Sequence, residues 1–219
     1  MDGLRHRRGF TLLELLVVLA IIGLLVGLVF PSLSKGRANS QAIACQGRLR
    51  QIALVVQMYA DENNGAVLHS YDVAGQDSVG WVKLVQPYLQ KPESLQCPLD
   101  GTRAWEPDPF LPTQGLRTTS YAINDTLTPE ADPPVQQLSR IKHVEKVVLL
   151  AELRDELVGD HFHPANWALF LGTPEEEIAH DRHGGQAFYA FADYHVEKLP
   201  LEKVWQSNGT VNLMTPPPQ

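Results

Sequence analysis

The sequence predicts an α+β chain: a long N-terminal helix, membrane-spanning in its first half, packed against a C-terminal antiparallel β-sheet with irregular loops. Three observations predict it. Residues 10–30 are an apolar run broken by one charge, Glu14. Residues 36–61 carry apolar side chains at spacings of three and four. From Val144 onward the pattern changes to short apolar and aromatic stretches separated by turn residues.

The first element reads FTLLELLVVLAIIGLLVGLVF, from Phe10 to Phe30. At a rise of about 1.5 Å per residue, a helix of this length crosses the hydrocarbon core of a bilayer. Arg5, Arg7 and Arg8 precede it and hold that end in the cytoplasm by the positive-inside rule, so the C-terminal part is exported. A secretory signal peptide would have a shorter apolar region and a small-residue cleavage site, and Phe30-Pro31-Ser32 is a poor one. A plain membrane anchor leaves Glu14 unexplained. A carboxylate inside such a run costs roughly 2.5–3.5 kcal/mol to insert and marks a functional position whose partner should be named.

After Pro31, a kink or a break, the apolar residues Ala42, Ile43, Ala44, Leu49, Ile52, Ala53, Val56 and Tyr59 form one face of an amphipathic helix. Asn63-Asn64-Gly65 is a stop signal, so one helix of about 50 residues is expected from Phe10 to Asp61. The middle of the chain is irregular. Trp81–Leu89 reads as a short helix ended near Pro87, Cys97–Gly101 as a turn, and Ser120–Asn124 as a short strand. Glu106–Pro109 and Asp132–Pro134 exclude regular elements. Val144–Leu153 is expected as a strand, with a helix competing. Ala187–His195 begins an antiparallel hairpin continued by Val196–Leu199. The tail, residues 215–219, is expected to be disordered or extended. No internal repeat is present.

Composition narrows the function. The chain has 219 residues, 44% hydrophobic and 20% charged, which fits one soluble domain beyond a membrane segment. Its net charge of -7 lies mostly in the C-terminal two thirds, against general nucleic-acid binding, which needs a basic footprint. Gly-x-Ser-x-Gly, His-Glu-x-x-His and phosphate-loop patterns are absent, so neither an enzyme nor a cofactor is expected.

Arg8-Gly9-Phe10-Thr11-Leu12-Leu13-Glu14 resembles the class III signal of type IV pilins and type II secretion pseudopilins. The resemblance implies cleavage by a prepilin peptidase between Gly9 and Phe10 and N-methylation of Phe10. Glu14 then becomes the fifth residue of the mature chain and pairs with the free N-terminus of a neighbouring subunit. In lipid an ammonium is the natural partner of a lone carboxylate. The implied organisation is a leader at 1–9, a transmembrane and filament-core helix at 10–30, the exposed amphipathic half of the helix at 31–64, a globular α+β head at 65–214 and the tail. The order of elements matches the pilin fold.

Later stretches resemble one subgroup of pseudopilin-like proteins. They are Cys45-Gln46-Gly47-Arg48-Leu49-Arg50-Gln51, Trp81 with Pro87-Tyr88-Leu89, Cys97-Pro98-Leu99-Asp100, Ser120-Tyr121-Ala122-Ile123-Asn124, and Arg182-His183, the histidine followed after nine residues by Asp193. Arg48 stands where that subgroup has asparagine, and Tyr194 where it has glycine. Tyrosine resists positive φ, so the turn at 193–194 is expected to differ.

Candidate sites follow. Cys45 and Cys97 are hypothesised to bond, stapling a loop to the helix; two separate buried thiols are the alternative. His161, His163, His183, Asp193 and His195, with His180 nearby, use the vocabulary of metal ligands without a zinc spacing, and no metal is expected. His161 and His163 on a strand would share a face. His183 and Asp193 are expected to hydrogen-bond each other or the backbone and lock the hairpin. The reading is a structural subunit, assembled into a type II secretion-like pseudopilus or a type IV pilus-like filament. Its partners are the prepilin peptidase, other pilin-like subunits, an inner-membrane assembly platform and lipid, with no nucleic acid. The alternative is a membrane-tethered or filament-tip binding module recognising an exported protein or polysaccharide.

Overall fold

The computed structural model describes residues 12–70, 80–89, 91–102, 105, 117–155 and 157–216. Gly9, Phe10, the rest of the leader, Glu106–Pro109 and the last three residues lie outside them. The chain divides between Gln41 and Ala42 into an N-terminal unit and a head.

The helix α1 runs Leu12–Glu62. It continues through Pro31, which removes the reading of a break there. Proline supplies no N–H, so one rung of the ladder is missing, a local cost of about 3 kcal/mol that the rungs on either side outlast. Asn64 and Gly65 end the helix in the left-handed region, at φ 58° and 78°. The Gly65 N–H donates to the Ala60 carbonyl, closing the last turn.

Within the head, the helix buries a stripe: Cys45, Leu49, Ile52, Ala53, Val56 and Ala60. Residues 32–40 are exposed, and the buried stripe lies beyond Gln41, on the stretch where the sequence placed its apolar face from Ala42 onward. The strands are β1 (Tyr121–Asn124), β2 (Val148–Glu152), β3 (His161–Phe162), β4 (Ala187–Phe191) and β5 (Val196–Leu199). They lie in the order β3-β1-β2-β4-β5. Four strands pair antiparallel, as expected. The sheet is nonetheless mixed, because β3 lies parallel to β1. The segment after β2 carries the chain to the far side of β1 before pairing resumes, and that crossover sets the direction.

The sheet is buried on both faces. Tyr121, Ile123, Leu150, Phe188 and Ala190 pack with the helix stripe and with α2 (Trp81–Val85). Ala122, Ala151, Tyr189 and Phe191 pack on the opposite face with Trp167, Ile178, Val204 and Met214. Those cover residues come from α3 (Pro164–Ala168), α4 (Pro174–Glu177) and the C-terminal segment. Double burial explains why β2 and β4 read as near-continuous apolar runs. A register shift between Val148 and Leu150 turns Leu149 and Leu150 to the helix face together.

Three smaller expectations shift. Pro87 lies within a 3-10 turn, Gln86–Tyr88, that continues α2. Strand β2 starts only at Val148, after a 3-10 turn at Val144–Lys146. Thr215 is tied to Asn212 in both directions, so the tail is held at least that far.

Candidate functional site

From Leu12 to Phe30 the helix of the N-terminal unit is apolar on every side. Its most hydrophobic 18-residue window has a mean hydropathy of 3.0 and no buried residue within the chain. Leu12, Leu16, Leu24, Leu28 and Phe30 are each two thirds exposed or more. At about 25 cal/mol per Å² of apolar surface, such a segment is stable only in lipid or among other apolar helices. Glu14 lies in the first described turn, where the helix dipole favours a negative charge.

The head holds a buried polar centre on the helix side of the sheet. Pleat alternation puts Glu152 on the same face as Leu150, opposite Tyr121 across the β1–β2 pair. Glu152 is fully buried. Its Oε1 lies 2.8 Å from His183 Nε2, and its Oε2 accepts the Phe188 N–H at 3.0 Å. Arg182 Nη1 stands 3.7 Å from the same carboxylate. The Tyr121 hydroxyl donates to the Cys45 carbonyl at 3.2 Å. Burial, reinforced by the Glu152 charge, pushes the Tyr121 hydroxyl well above the usual phenol range, so it stays a donor.

The structure joins Cys45 on the helix to Cys97 in the loop, both fully buried. The loop is held from inside. The Cys97 N–H donates to Ser120 Oγ at 2.8 Å, and that hydroxyl donates to Asp100 Oδ2 at 2.6 Å. Arg117 Nη2 approaches the same oxygen at 3.1 Å, with both side chains buried. The guanidinium also donates to the carbonyls of Thr119, Leu153 and Arg154. Arg48 donates to the Gln96 carbonyl from the helix, a contact made by the residue that departs from the subgroup pattern. Asn124 closes the far end of β1, donating to the carbonyls of Val148 and Met214.

His183 does not meet Asp193; of the two expected alternatives, a bond to each other or to the backbone, Asp193 takes the backbone one. His183 is a buried ring and takes the buried carboxylate of Glu152, whereas Asp193 sits in the β4–β5 turn and accepts from the His195 N–H. His195 stacks on Phe191 with ring centroids 4.4 Å apart. Tyr194 takes the left-handed conformation at φ 70°, although tyrosine was expected to resist it. The strain, about 1–2 kcal/mol, is offset where its ring packs on the helix-side core. The turn keeps its backbone bond, Tyr194 N–H to the Phe191 carbonyl.

His161 lies on β3 and His163 just beyond it, at the start of α3, so one strand does not present both. Their rings still touch, with centroids 4.7 Å apart. Each Nδ1 faces a carboxylate at 2.9 Å: Asp160 for His161 and Glu177 for His163. The Glu177 bond holds His163 above the ordinary histidine value against burial, which lowers it. Burial pushes Glu177 up, but the bonds from His163 and Trp167 outweigh it and leave the carboxyl lowered.

The prokaryotic N-terminal methylation motif matches residues 4–30. The N-terminal segment is pilin-like. The chain is 25% identical over 93 residues to the ComG operon protein 3 homolog of Bacillus licheniformis, covering 42% of this chain and 84% of that protein. It is 34% identical over 59 residues to the type II secretion system core protein G of Pseudomonas aeruginosa, 27% of this chain and 42% of the relative. It is 34% identical over 61 residues to the type IV wide pilus major component PilA4 of Thermus thermophilus, 28% of this chain and 47% of the relative. For the latter two the match spans less than half of the relative's length. No solved structure matches.

The head contains groups the sequence did not announce, Glu152 and Arg117; Arg182 stood in the motif beside His183 without its role being legible. Glu152 carried a usable signal, since it interrupts the apolar run Val147–Leu153 as Glu14 interrupts the first. Two predictions arise from this geometry. Replacing both Cys45 and Cys97 by serine frees a loop with a sequence separation of 52. The chain should lose about 2–4 kcal/mol, measured by thermal unfolding of the full chain in detergent; superimposable curves would count against the staple. The second concerns pH. His163 is raised, so its contribution is complete below the unfolded histidine value and fades as pH rises through its folded value. Glu177 is lowered, so its contribution is present above the unfolded carboxyl value and fades as pH falls. Stability is expected to peak in the mildly acidic range between, and His163→Gln should flatten the alkaline limb of a Tm-against-pH curve.

Proposed function

We propose that the chain is a structural subunit of a pilus-like or pseudopilus-like filament. A prepilin peptidase cuts between Gly9 and Phe10, Phe10 is N-methylated, and the helix enters the inner membrane with its N-terminus cytoplasmic and the head periplasmic. An assembly platform then extracts the subunit from lipid, and the apolar helices of successive copies, or of other pilin-like subunits, bundle. One observation carries this reading: a processing signal, Arg8 to Glu14, opens directly onto a helix whose apolar side chains are exposed on every side. Such a surface needs lipid before assembly and neighbouring helices after it, and a filament core supplies the second. The test is N-terminal mass spectrometry of the chain purified from its source. The expected first residue is a methylated Phe10; an intact Met1 or Arg8 in the mature protein would defeat the reading.

One feature favours the alternative, a tethered or filament-tip binding module. Leu169, Phe170 and Leu171 form an exposed apolar run on the head, Phe170 being 86% exposed. Phe170 also holds a left-handed φ of 59°. Stoichiometry separates the readings, because a tip protein is rare relative to a major subunit and a major subunit fills the fibre.

A further inference from the structure

We infer that Cys45, Cys97, Glu152 and His183 form a soft-metal site, suited to zinc, whenever the Cys45–Cys97 bond is open. The four residues come from three parts of the head: the helix, the Cys97 loop and the sheet face with the turn leading into β4. One ligand atom from each lies within 4.8 Å of all the others, and all four residues are buried. The edges of a tetrahedral zinc site with two sulfurs, a nitrogen and an oxygen are roughly 3.3–3.8 Å. The widest spacing must therefore contract by about an ångström, while the two bonded sulfurs must part by roughly 1.7 Å once their bond is open; side-chain rotations supply shifts of that size.

Chemistry and charge agree with the geometry. Two thiolates, an imidazole and a carboxylate are a zinc donor set. In the bonded form Glu152 is balanced by Arg182, whose Nη1 stands 3.7 Å away. In the open form two thiolates and Glu152 bring three negative charges, zinc brings two positive ones and Arg182 the third. Arg182 also pairs with the part-exposed Asp155, which is unchanged between the forms, so the charge sum of the centre is the same in both and exchanging them adds no unpaired charge to the core.

The surroundings already hold the ligands as outer partners hold those of metal sites. Glu152 Oε2 is fixed by the Phe188 N–H, and the Tyr121 hydroxyl bonds the backbone carbonyl of Cys45, beside its sulfur. Among the described residues, His183 Nδ1 is buried without a hydrogen-bond partner, so the imidazole is not fully satisfied while the sulfurs are bonded. A surface cleft of about 320 Å³, lined by Leu99, Arg154, Asp155, Ala179, Asp181 and Arg182, gives an approach. Arg182 lines it and also faces Glu152, so movement of that side chain connects solvent to the centre.

Opening requires a two-electron reductant, for which a dithiol serves. Its two S–H hydrogens pass to the Cys45 and Cys97 sulfurs as their bond breaks, and the dithiol closes into its own disulfide. Metal binding then releases both thiol protons to solvent.

The test uses the full chain in detergent micelles, reduced by a phosphine, which takes oxygen from water while the two hydrogens go to the thiols. Cobalt(II) is the probe. The reduced chain is expected to bind one cobalt with thiolate charge-transfer absorption and the visible bands of a tetrahedral site, and zinc should displace it. The oxidised chain should show neither. His183→Ala and Glu152→Gln should each weaken zinc by at least about 100-fold, beyond the roughly 10–100-fold expected for an outer partner. If reduction unfolds the head, zinc should restore the fold and protect both thiols from alkylation. A reduced chain that binds no cobalt, or that zinc neither refolds nor protects, overturns the proposal. Tight binding unchanged in both variants overturns it equally, since it reduces the site to two thiols.

Discussion

Glu14→Ala is expected to leave the chain inserted in the membrane and to abolish its incorporation into filaments. Insertion should be as good or better, because the substitution removes a carboxylate that costs roughly 2.5–3.5 kcal/mol in an apolar helix. Assembly should fail, because in the proposed filament the ammonium of the neighbouring Phe10 would then enter an apolar core without its counter-charge. Breaking a buried ion pair by removing one partner costs about 3–5 kcal/mol, a factor of roughly 10² to 10³ or more in each subunit contact. The penalty recurs at every subunit, so a fibre amplifies it. Glu14→Gln separates charge from shape, since it keeps the size and removes the attraction, and it should behave like alanine. The measurement is the ratio of protein in sheared filaments to protein in the membrane fraction. Filaments containing either variant at the normal ratio would defeat the pairing.

Arg117→Met is expected to be the most damaging single change in the head. Arg117 is 2% exposed and binds the buried Asp100 carboxylate while donating to carbonyls at Thr119, Leu153 and Arg154. Methionine fills much of the same volume but leaves Asp100 as an uncompensated buried charge and several carbonyls unsatisfied. The expected loss is about 3–5 kcal/mol, a fall in Tm of roughly 6–20 °C for a domain of this size. Asp100→Asn should cost less, because Ser120 can still bond the amide and Arg117 keeps its carbonyls. Thermal unfolding of the full chain in detergent reads both. A shift under about 2 °C for Arg117→Met would show that the guanidinium is not what holds the loop.

These positions differ in how legible they were. Glu14 stands out because its neighbours are apolar in sequence and the helix exposes them all to one environment, so local composition sets its cost. Glu152 breaks an apolar run in the same way, yet its consequence depends on which face of β2 it occupies and on what covers that face. The register shift at Val148–Leu150 decides the face. His183 and Arg182 arrive from about 30 residues further along the chain to meet it. Proximity in the motif pointed His183 toward Asp193, but the buried ring took the buried carboxylate.

The turn at Tyr194 shows the same limit. Steric preference argued against a left-handed tyrosine, and the preference is real, but burial of the ring on the helix-side core outweighs about 1–2 kcal/mol of strain. Likewise β3 is only two residues long and pairs parallel to β1. No local pattern specifies so short a strand; its neighbours create it.

By itself, the order of amino acids determined the long helix, its apolar first half, its end at Asn63–Gly65, the β4–β5 hairpin and the N-terminal methylation motif. Each of these depends on residues within a few positions of one another, where periodicity, turn chemistry and charge act directly. Tertiary structure alone decided the mixed sheet, its burial on both faces and the convergence of Arg117 on Asp100 and of Glu152 on His183 and Arg182. Those depend on surfaces brought together from distant segments, and a buried charge selects its partner by distance in space, which spacing along the chain does not encode.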